Sequence, residues 1–393
     1  MPSFMVERKT PADRYYRPEL DVVRFLAFIL VFLNHTLPTG SDPRIGEMLG
    51  SAAPIFYALA RSCAFGLSLF FTLSAFLICE LLLRERKAVG TVAVKQFYIR
   101  RILRIWPLYY LALALGAVIA FLPGGNTSNL IRLGWFAIFM GSWVDVLHGW
   151  FTNPAAPLWS VSVEEQFYLI APWIVKYLPR RLLFGFCFLL LLASNGELYY
   201  LGRVATVESS IWPNAVVQFE CFAAGILLSL VLRGRLPGIS FWQRLMLLAG
   251  SASCWFYATF GLRAFFLRDN NPGSWSLIGG YALAALGSVL LLIAFLNVDP
   301  KLLPGWAIYL GRISYGLYVY HEFAIYLTNH FLIGHLTSIA SSTLLLKAGA
   351  EFGLTFLMAA LSYRYFETPF LKMKRRHAII ESQPVGMLVD RSR

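Results

Sequence analysis

The sequence predicts an all-α, polytopic membrane helix bundle with about ten transmembrane helices and both termini in the cytoplasm. Three observations lead there. Hydrophobic residues make up 58% of the 393 positions and charged residues only 14%, and the mean hydropathy is +0.61, far above what a water-facing globular surface tolerates. The apolar residues gather in runs of about 20, the length a helix rising ~1.5 Å per residue needs to cross a hydrocarbon core ~30 Å thick. The basic residues are distributed unevenly among the connecting segments, which orients the bundle.

Taken in order, spans are expected at 20–38, 63–83, 105–122, 158–178, 182–200, 212–232, 242–262, 277–296, 306–329 and 343–366. The stretch "IRLGWFAIFMGSWVDVLHGW" (131–150) is also apolar, but it carries Asp145, His148 and the internal glycines Gly134 and Gly141. Ten spans leave most of the 34 Lys and Arg residues in cytoplasmic segments, whereas an eleventh at 131–150 would divide them almost evenly between the two sides. The positive-inside rule therefore makes 131–150 a re-entrant or interfacial segment on the outer side. The first 17 residues are polar and mixed in charge, without the small-residue cleavage site of a secretory signal, and read as a cytoplasmic lead-in. One membrane domain (1–371) and a basic cytoplasmic tail (372–393) containing Lys372, Lys374, Arg375 and Arg376 complete the division, in a multi-pass protein of the cell (inner or plasma) membrane.

The net charge of +13 follows from basic loops facing an anionic leaflet, so no nucleic-acid partner is implied. Cys63, Cys79, Cys187, Cys221 and Cys254 are odd in number and widely spaced, which argues against a disulfide framework or a CxxC metal site, and no metal is expected. They read as packing residues.

Polar groups inside apolar runs are costly and mark candidate sites. "RFLAFILVFLNH" (24–35) places Arg24 and His35 close to three turns apart on one helix face, roughly 16 Å from end to end. Arg24 can instead pair with Asp21, and His35 can cap the helix beside Asn34. "KQFYIRRILRIWPLYY" (95–110) sets Arg100, Arg101 and Arg104 just before a span. As a flank they satisfy the positive-inside rule; as a trio they form a grip for a phosphorylated cytosolic ligand. In "PLWSVSVEEQFYLIAPW" (157–173), Ser162 and Glu165 have capping-box spacing, which leaves Glu164 free to orient or charge-stabilise an imidazole. "ISYGLYVYHEFAIY" (313–326) adds His321 and Glu322, with Tyr318 one turn before the histidine; a buried His–Tyr pair is also a common structural arrangement.

Together "RPELDVVRFLAFILVFLNH", "FFTLSAFLI", "RRILRIWPLYY", "WSVSVEEQFYLIAPW", "SYGLYVYH" and "YFETP" resemble, in this order and across nearly the whole chain, the acyltransferase family 3 of membrane O-acyltransferases. Members move acetyl or other short acyl groups from acyl-CoA to hydroxyls of cell-surface polysaccharides, peptidoglycan, lipid-linked sugars or secreted glycosides. The family's arginine, ten residues, histidine motif falls on Arg24 and His35, and its basic motif on Arg101 and Arg104. Ala75 departs from the pattern, which favours glycine there for close helix packing. Some members carry an additional extracytoplasmic hydrolase-like domain, for which no room is expected in this chain.

The resemblance implies that acyl-CoA, acetyl-CoA first among the candidates, approaches from the cytosol with its phosphates on Arg101, Arg104 and Arg100, and that Arg24 holds a phosphate or stabilises charge along the channel. His35 then acts as general base on an acceptor hydroxyl, oriented by Glu164 or His321, or passes the acyl group through an acyl-histidine. Ser162, Ser74 and Ser314 lie outside any nucleophile-elbow pattern. A glycan or lipid transporter or flippase is the competing class, since intramembrane Arg, Glu and His also serve proton-coupled carriers. No inverted repeat supports it. Acceptor specificity is expected in the outer loops 123–157 and 263–276, and Trp135, Trp143, Trp150 and Trp159 read as interfacial anchors.

Overall fold

The computed structural model describes residues 15–40, 42–122, 125–264, 272–332 and 341–380. Among them the secondary structure is helical throughout, with no strand. The α-helices are α1 (Pro18–Thr36), α2 (Pro43–Leu49), α3 (Ala53–Ser62), α4 (Gly66–Val89), α5 (Val94–Phe121), α6 (Asn129–Ala137), α7 (Gly141–His148), α8 (Leu158–Tyr177), α9 (Arg180–Val204), α10 (Ala215–Leu232), α11 (Phe241–Phe260), α12 (Ser274–Phe295), α13 (Gly305–Arg312), α14 (Ser314–Leu327), α15 (Ser341–Leu361) and α16 (Thr368–Arg375).

Five helical stretches, Ile45–Val89, Val94–Phe121, Arg180–Val204, Ala215–Leu232 and Ser274–Phe295, are long and apolar enough to cross a membrane. This is an integral membrane protein. The helices that fall short by composition include α1, with Glu19, Asp21 and Arg24, and α8, with Glu164, Glu165 and Lys176. Glu19 and Asp21 are buried and Arg24 and Glu164 line an internal cavity, whereas Lys176 lies over the exposed rings of Trp173 and Tyr177 at the end of α8.

Helix α1 sits where neighbours crowd it from several sides. A Cβ on Gly311 of α13 would lie 1.8 Å from the Asp21 carbonyl oxygen, and one on Gly66 of α4 would lie 2.5 Å from that of Ala27. Only glycine permits those two approaches. From α15, Phe352 packs its ring against Phe28 and Phe32, with centroids 6.5 and 5.6 Å away. At Ala75, where the family pattern favours glycine, close packing is supplied from the other side: Gly225 of α10 brings its backbone against Thr72 and Ala75.

Several boundaries differ from the sequence reading. Helix α5 begins at Val94, so Arg100, Arg101 and Arg104 lie within the helix rather than ahead of it. Residues 131–150 form two short helices, α6 and α7, separated by a turn in which Phe139 adopts φ 59°; neither reaches half the length a crossing needs. The stretch expected as one span at 306–329 is broken at Ile313 and ends in a π turn, Thr328–Leu332. A second π turn, Ser362–Glu367, follows α15.

Ser162 and Glu165 do not form a capping box. Helix α8 starts earlier, at Leu158, and Ser162 donates to the Leu158 carbonyl while Glu165 accepts from Trp106 Nε1 at 3.2 Å. A capping box does form at the start of α11, between Ser240 and Gln243. A boundary at residue 371 also cuts through α16, whose C-terminal turn packs on α5: Arg100 donates to the His377 carbonyl at 2.9 Å, and His377 Nδ1 lies 2.9 Å from Gln96 Oε1. Residues 265–271 of the expected outer loop 263–276, and 381–393 of the tail, lie outside the described residues. All five cysteines are free, three of them fully buried.

Candidate active site

The last turn of α1 carries His35, and the middle of α14 carries His321 and Glu322. His35 Nδ1 is 2.5 Å from Glu322 Oε1. An ionised carboxylate offers only acceptors, so this nitrogen carries a proton, and in the neutral ring Nε2 is the lone pair. His321 is completely buried, its Nδ1 2.5 Å from the Tyr318 carbonyl oxygen, which fixes its tautomer in the same sense. Its Nε2 has no hydrogen-bond partner and lies 4.0 Å from Glu322 Oε1. The two imidazole rings are edge to face with centroids 5.0 Å apart.

His35 and Glu322 open onto a cavity of about 1760 Å³ at the C-terminal end of α1, named the outer cavity for its place along that helix and lined with amide and indole groups, including Asn34, Asn129, Asn153, Trp150, Trp159 and Trp212. Trp159 bridges the other two indoles, with centroids 6.2 Å from Trp150 and 6.5 Å from Trp212. Trp150 and Trp159 therefore face the cavity, contrary to the anchor reading. Trp135 stays on the exposed surface.

A second cavity of about 440 Å³, named the inner cavity for its place toward the N-terminal end of α1, is lined by Arg24, Arg101, Arg104, Arg312, Lys374 and Arg375, with Asp21 and Glu164 the acidic groups on its wall among the described residues. Arg24 is held by Asp21 at 2.5 Å. Arg101 lies between the rings of Phe97 and Tyr168, 5.4 and 5.2 Å away, and its buried Nε has no hydrogen-bond partner. On α16, burial and the surrounding guanidinium groups push the Lys374 ammonium well below its ordinary pKa. A cluster of like charges in a low-dielectric site calls for an anion. The far wall is apolar, with Phe70, Leu73 and Leu77 among its residues.

Leu67 and Tyr318 line both cavities. The Tyr318 ring thus stands between the basic chamber and the imidazole, its hydroxyl 2.6 Å from Ser160 Oγ and 3.0 Å from the Pro157 carbonyl oxygen.

Most of the sequence candidates meet at these two chambers, with two corrections. Glu164 is not the carboxylate on His35. It lies in the inner chamber, accepting from the Tyr168 hydroxyl at 2.9 Å, because α8 turns that face toward α4 and α5. Arg100 points away from the chamber and is satisfied by Glu85 at 3.0 Å and the His377 carbonyl. Glu322, Arg312 and Lys374 take places that the sequence reading left open. Glu322 stands next to His321, but only the crossing of α1 and α14 shows that it meets His35.

The fold and the paired chambers define a helical membrane protein with a cation-lined cavity and an imidazole–carboxylate pair on opposite faces of one wall. The chain belongs to acyltransferase family 3: the family model, described as an acyltransferase domain, matches residues 17–364. It is similar to the peptidoglycan O-acetyltransferase OatA of Listeria monocytogenes (25% identical over 414 residues, covering 97% of this chain and 61% of the relative). It is also similar to the O-acetyltransferase OatA of Staphylococcus aureus (23% over 334 residues, 78% and 52%). The chain thus spans about half to three fifths of the length of these relatives. No solved structure matches it.

Proposed function

We propose that this protein is an O-acyltransferase of the cell membrane that moves an acetyl or other short acyl group from cytosolic acyl-CoA to a hydroxyl of an extracytoplasmic carbohydrate, lipid-linked sugar or glycoside. The observation that carries this reading is the shared wall: Tyr318 and Leu67 have the cationic chamber on one side and the His35–Glu322 pair on the other. We read the long helices as ten crossings with both ends in the cytoplasm, which sets the basic chamber on the donor side and His35 on the acceptor side.

Acyl-CoA brings a diphosphate and a 3′-phosphate, which suit Arg101, Arg104 and Lys374, with Arg24 and Arg312 adding positive field. Its narrow pantetheine arm runs past Phe70, Leu73 and Leu77 toward Tyr318. His35 Nε2 takes the proton of the acceptor hydroxyl as that oxygen bonds the acyl carbon. The carbon–sulfur bond breaks, and the CoA thiolate leaves and is protonated at the imidazolium's expense. Glu322 holds the ring and stabilises its transient charge, a role worth on the order of 10²- to 10⁴-fold in rate for the base as a whole. The clustered indoles and amides of the outer chamber suit sugar rings. Peptidoglycan, named for the Listeria relative, is the first acceptor to test.

Purified protein in liposomes, given acetyl-CoA inside and a glycan acceptor outside, is expected to release free CoA thiol only when both are present. A carrier or flippase would move glycan with no thiol release, and that result would overturn the proposal.

A further inference from the structure

One ring nitrogen each of His35 and His321 and a carboxylate oxygen of Glu322 all lie within 4.8 Å of one another, the one place among the described residues where three His, Cys, Asp or Glu side chains converge in this way; His35 Nδ1 and His321 Nε2 are 2.5 and 4.0 Å from Glu322 Oε1. The ligands come from α1 and α14, near opposite ends of the chain, so no metal-binding motif joins them in sequence. We infer that these three groups form a binding site for a divalent transition ion such as Zn²⁺, and that its occupancy switches off His35 as a base.

Four features support a site rather than a coincidence of polar groups. The donor set, two imidazoles and a carboxylate, is one that zinc accepts, with a fourth position left open. His321 is held from behind by the Tyr318 carbonyl at 2.5 Å, the backing that ligand histidines usually have, and this leaves Nε2 as the free lone pair. That Nε2 is buried without a hydrogen-bond partner, a cost that a bound cation removes. His35 and Glu322 line the outer cavity, so an ion has a path in and room for a water or hydroxyl ligand. Bond lengths of about 2.0–2.2 Å require the donors to adjust by roughly 1 Å from their present 2.5 and 4.0 Å separations, within the reach of side-chain rotation.

The consequence for the imidazole is chemical. Without the ion, Glu322 accepts the Nδ1 proton of His35 and Nε2 is the basic nitrogen. With the ion on Nδ1, the neutral ring keeps its one proton at Nε2. No proton is released, yet the nitrogen facing the acceptor becomes a donor and cannot take the hydroxyl proton. This inhibitory part rests on the acyltransferase reading; the binding itself does not.

The test uses the full-length protein freed of any histidine tag, with Co²⁺ as a spectroscopic probe and Zn²⁺ as competitor. The expected result is one saturable equivalent of Co²⁺ with the intense visible bands of four-coordinate cobalt, displaced by Zn²⁺. Glu322→Gln and His321→Ala should each weaken binding by roughly tenfold or more. In the transfer assay, Zn²⁺ should lower kcat at unchanged KM for acyl-CoA, reversibly with a chelator. Absence of a saturable cobalt spectrum in the wild type, or its persistence in both variants, would overturn the site. Cobalt binding in a protein that shows no acyl transfer with any donor would leave the site standing and count against the enzymatic reading alone.

Discussion

His35 and Glu322, from α1 and α14, meet with Nδ1 and Oε1 2.5 Å apart, at the mouth of the outer cavity. The pair joins two helices that each break the hydrophobic pattern around them. Glu322→Gln keeps an oxygen able to accept the Nδ1 proton but removes the charge that stabilises the imidazolium. Acyl transfer should fall by roughly 10²-fold in kcat, with the melting temperature little changed. Steady-state kinetics beside thermal unfolding of the same preparation checks both halves.

The basic chamber should govern donor affinity. Lys374→Ala is expected to raise KM for acyl-CoA several-fold at nearly constant kcat, and Lys374→Arg to restore it, because the residue supplies charge remote from the reacting carbon. Lys372, exposed on the same helix, serves as the control. Raising ionic strength should weaken donor binding in wild type more than in Lys374→Ala.

Tyr318 separates the two chambers, and its size and its hydroxyl can be tested apart. Tyr318→Phe keeps the ring and loses the bonds to Ser160 and the Pro157 carbonyl, a change worth about 1 kcal/mol in stability. Tyr318→Ala removes the wall. Water from the outer cavity then reaches the thioester, so acceptor-independent thiol release should rise while transfer to glycan falls. Measuring both products in each variant distinguishes a partition from a mere packing residue.

Packing around α1 gives a stability prediction. A methyl group at Gly311 would sit 1.8 Å from the Asp21 carbonyl oxygen, so Gly311→Ala must displace α13 from α1 and should cost at least ~1–3 kcal/mol. Gly305, at the start of the same helix, has nothing within 4 Å of an added Cβ. Gly305→Ala should leave thermal unfolding in detergent unchanged.

Asp145 is fully buried in α7. Burial pushes its carboxyl up to about 7, against the nearby Arg132, whose guanidinium donates to the His148 and Gly149 carbonyls. The folded protein therefore holds this proton more tightly than the unfolded chain does. Stability is full below the ordinary carboxylate range and declines as pH rises from about 4 to about 7. Asp145→Asn should flatten that part of the pH–melting profile.

Much of this was legible in the sequence. Hydrophobic runs placed the helices, because a bilayer imposes length and apolarity on every crossing. Arg24 and His35 were readable as a pair because they share one helix, where spacing fixes geometry. For 131–150 the distribution of Lys and Arg among the loops, not the apolarity of the segment, argued against a single span, and two short helices form there. What stayed hidden depends on contacts between distant helices. Glu322 reaches His35 only through the crossing of α14 with α1, and Lys374 enters the basic chamber only because α16 folds back on α5. Glu164 was misassigned because the rotation of α8, not the residue's neighbours in sequence, decides which chamber it faces. The serine–glutamate spacing in α8 misled for a similar reason: the helix begins one turn earlier than the motif would place it.

The most direct test of the account is transfer of labelled acetyl from acetyl-CoA to glycan acceptor by the wild type and by His35→Ala, at matched and verified folding. The account predicts that His35→Ala loses transfer by about two orders of magnitude or more while still binding acetyl-CoA with near wild-type affinity, since the basic chamber is intact. Transfer by His35→Ala at a rate close to wild type would contradict it and remove the imidazole from the chemical step.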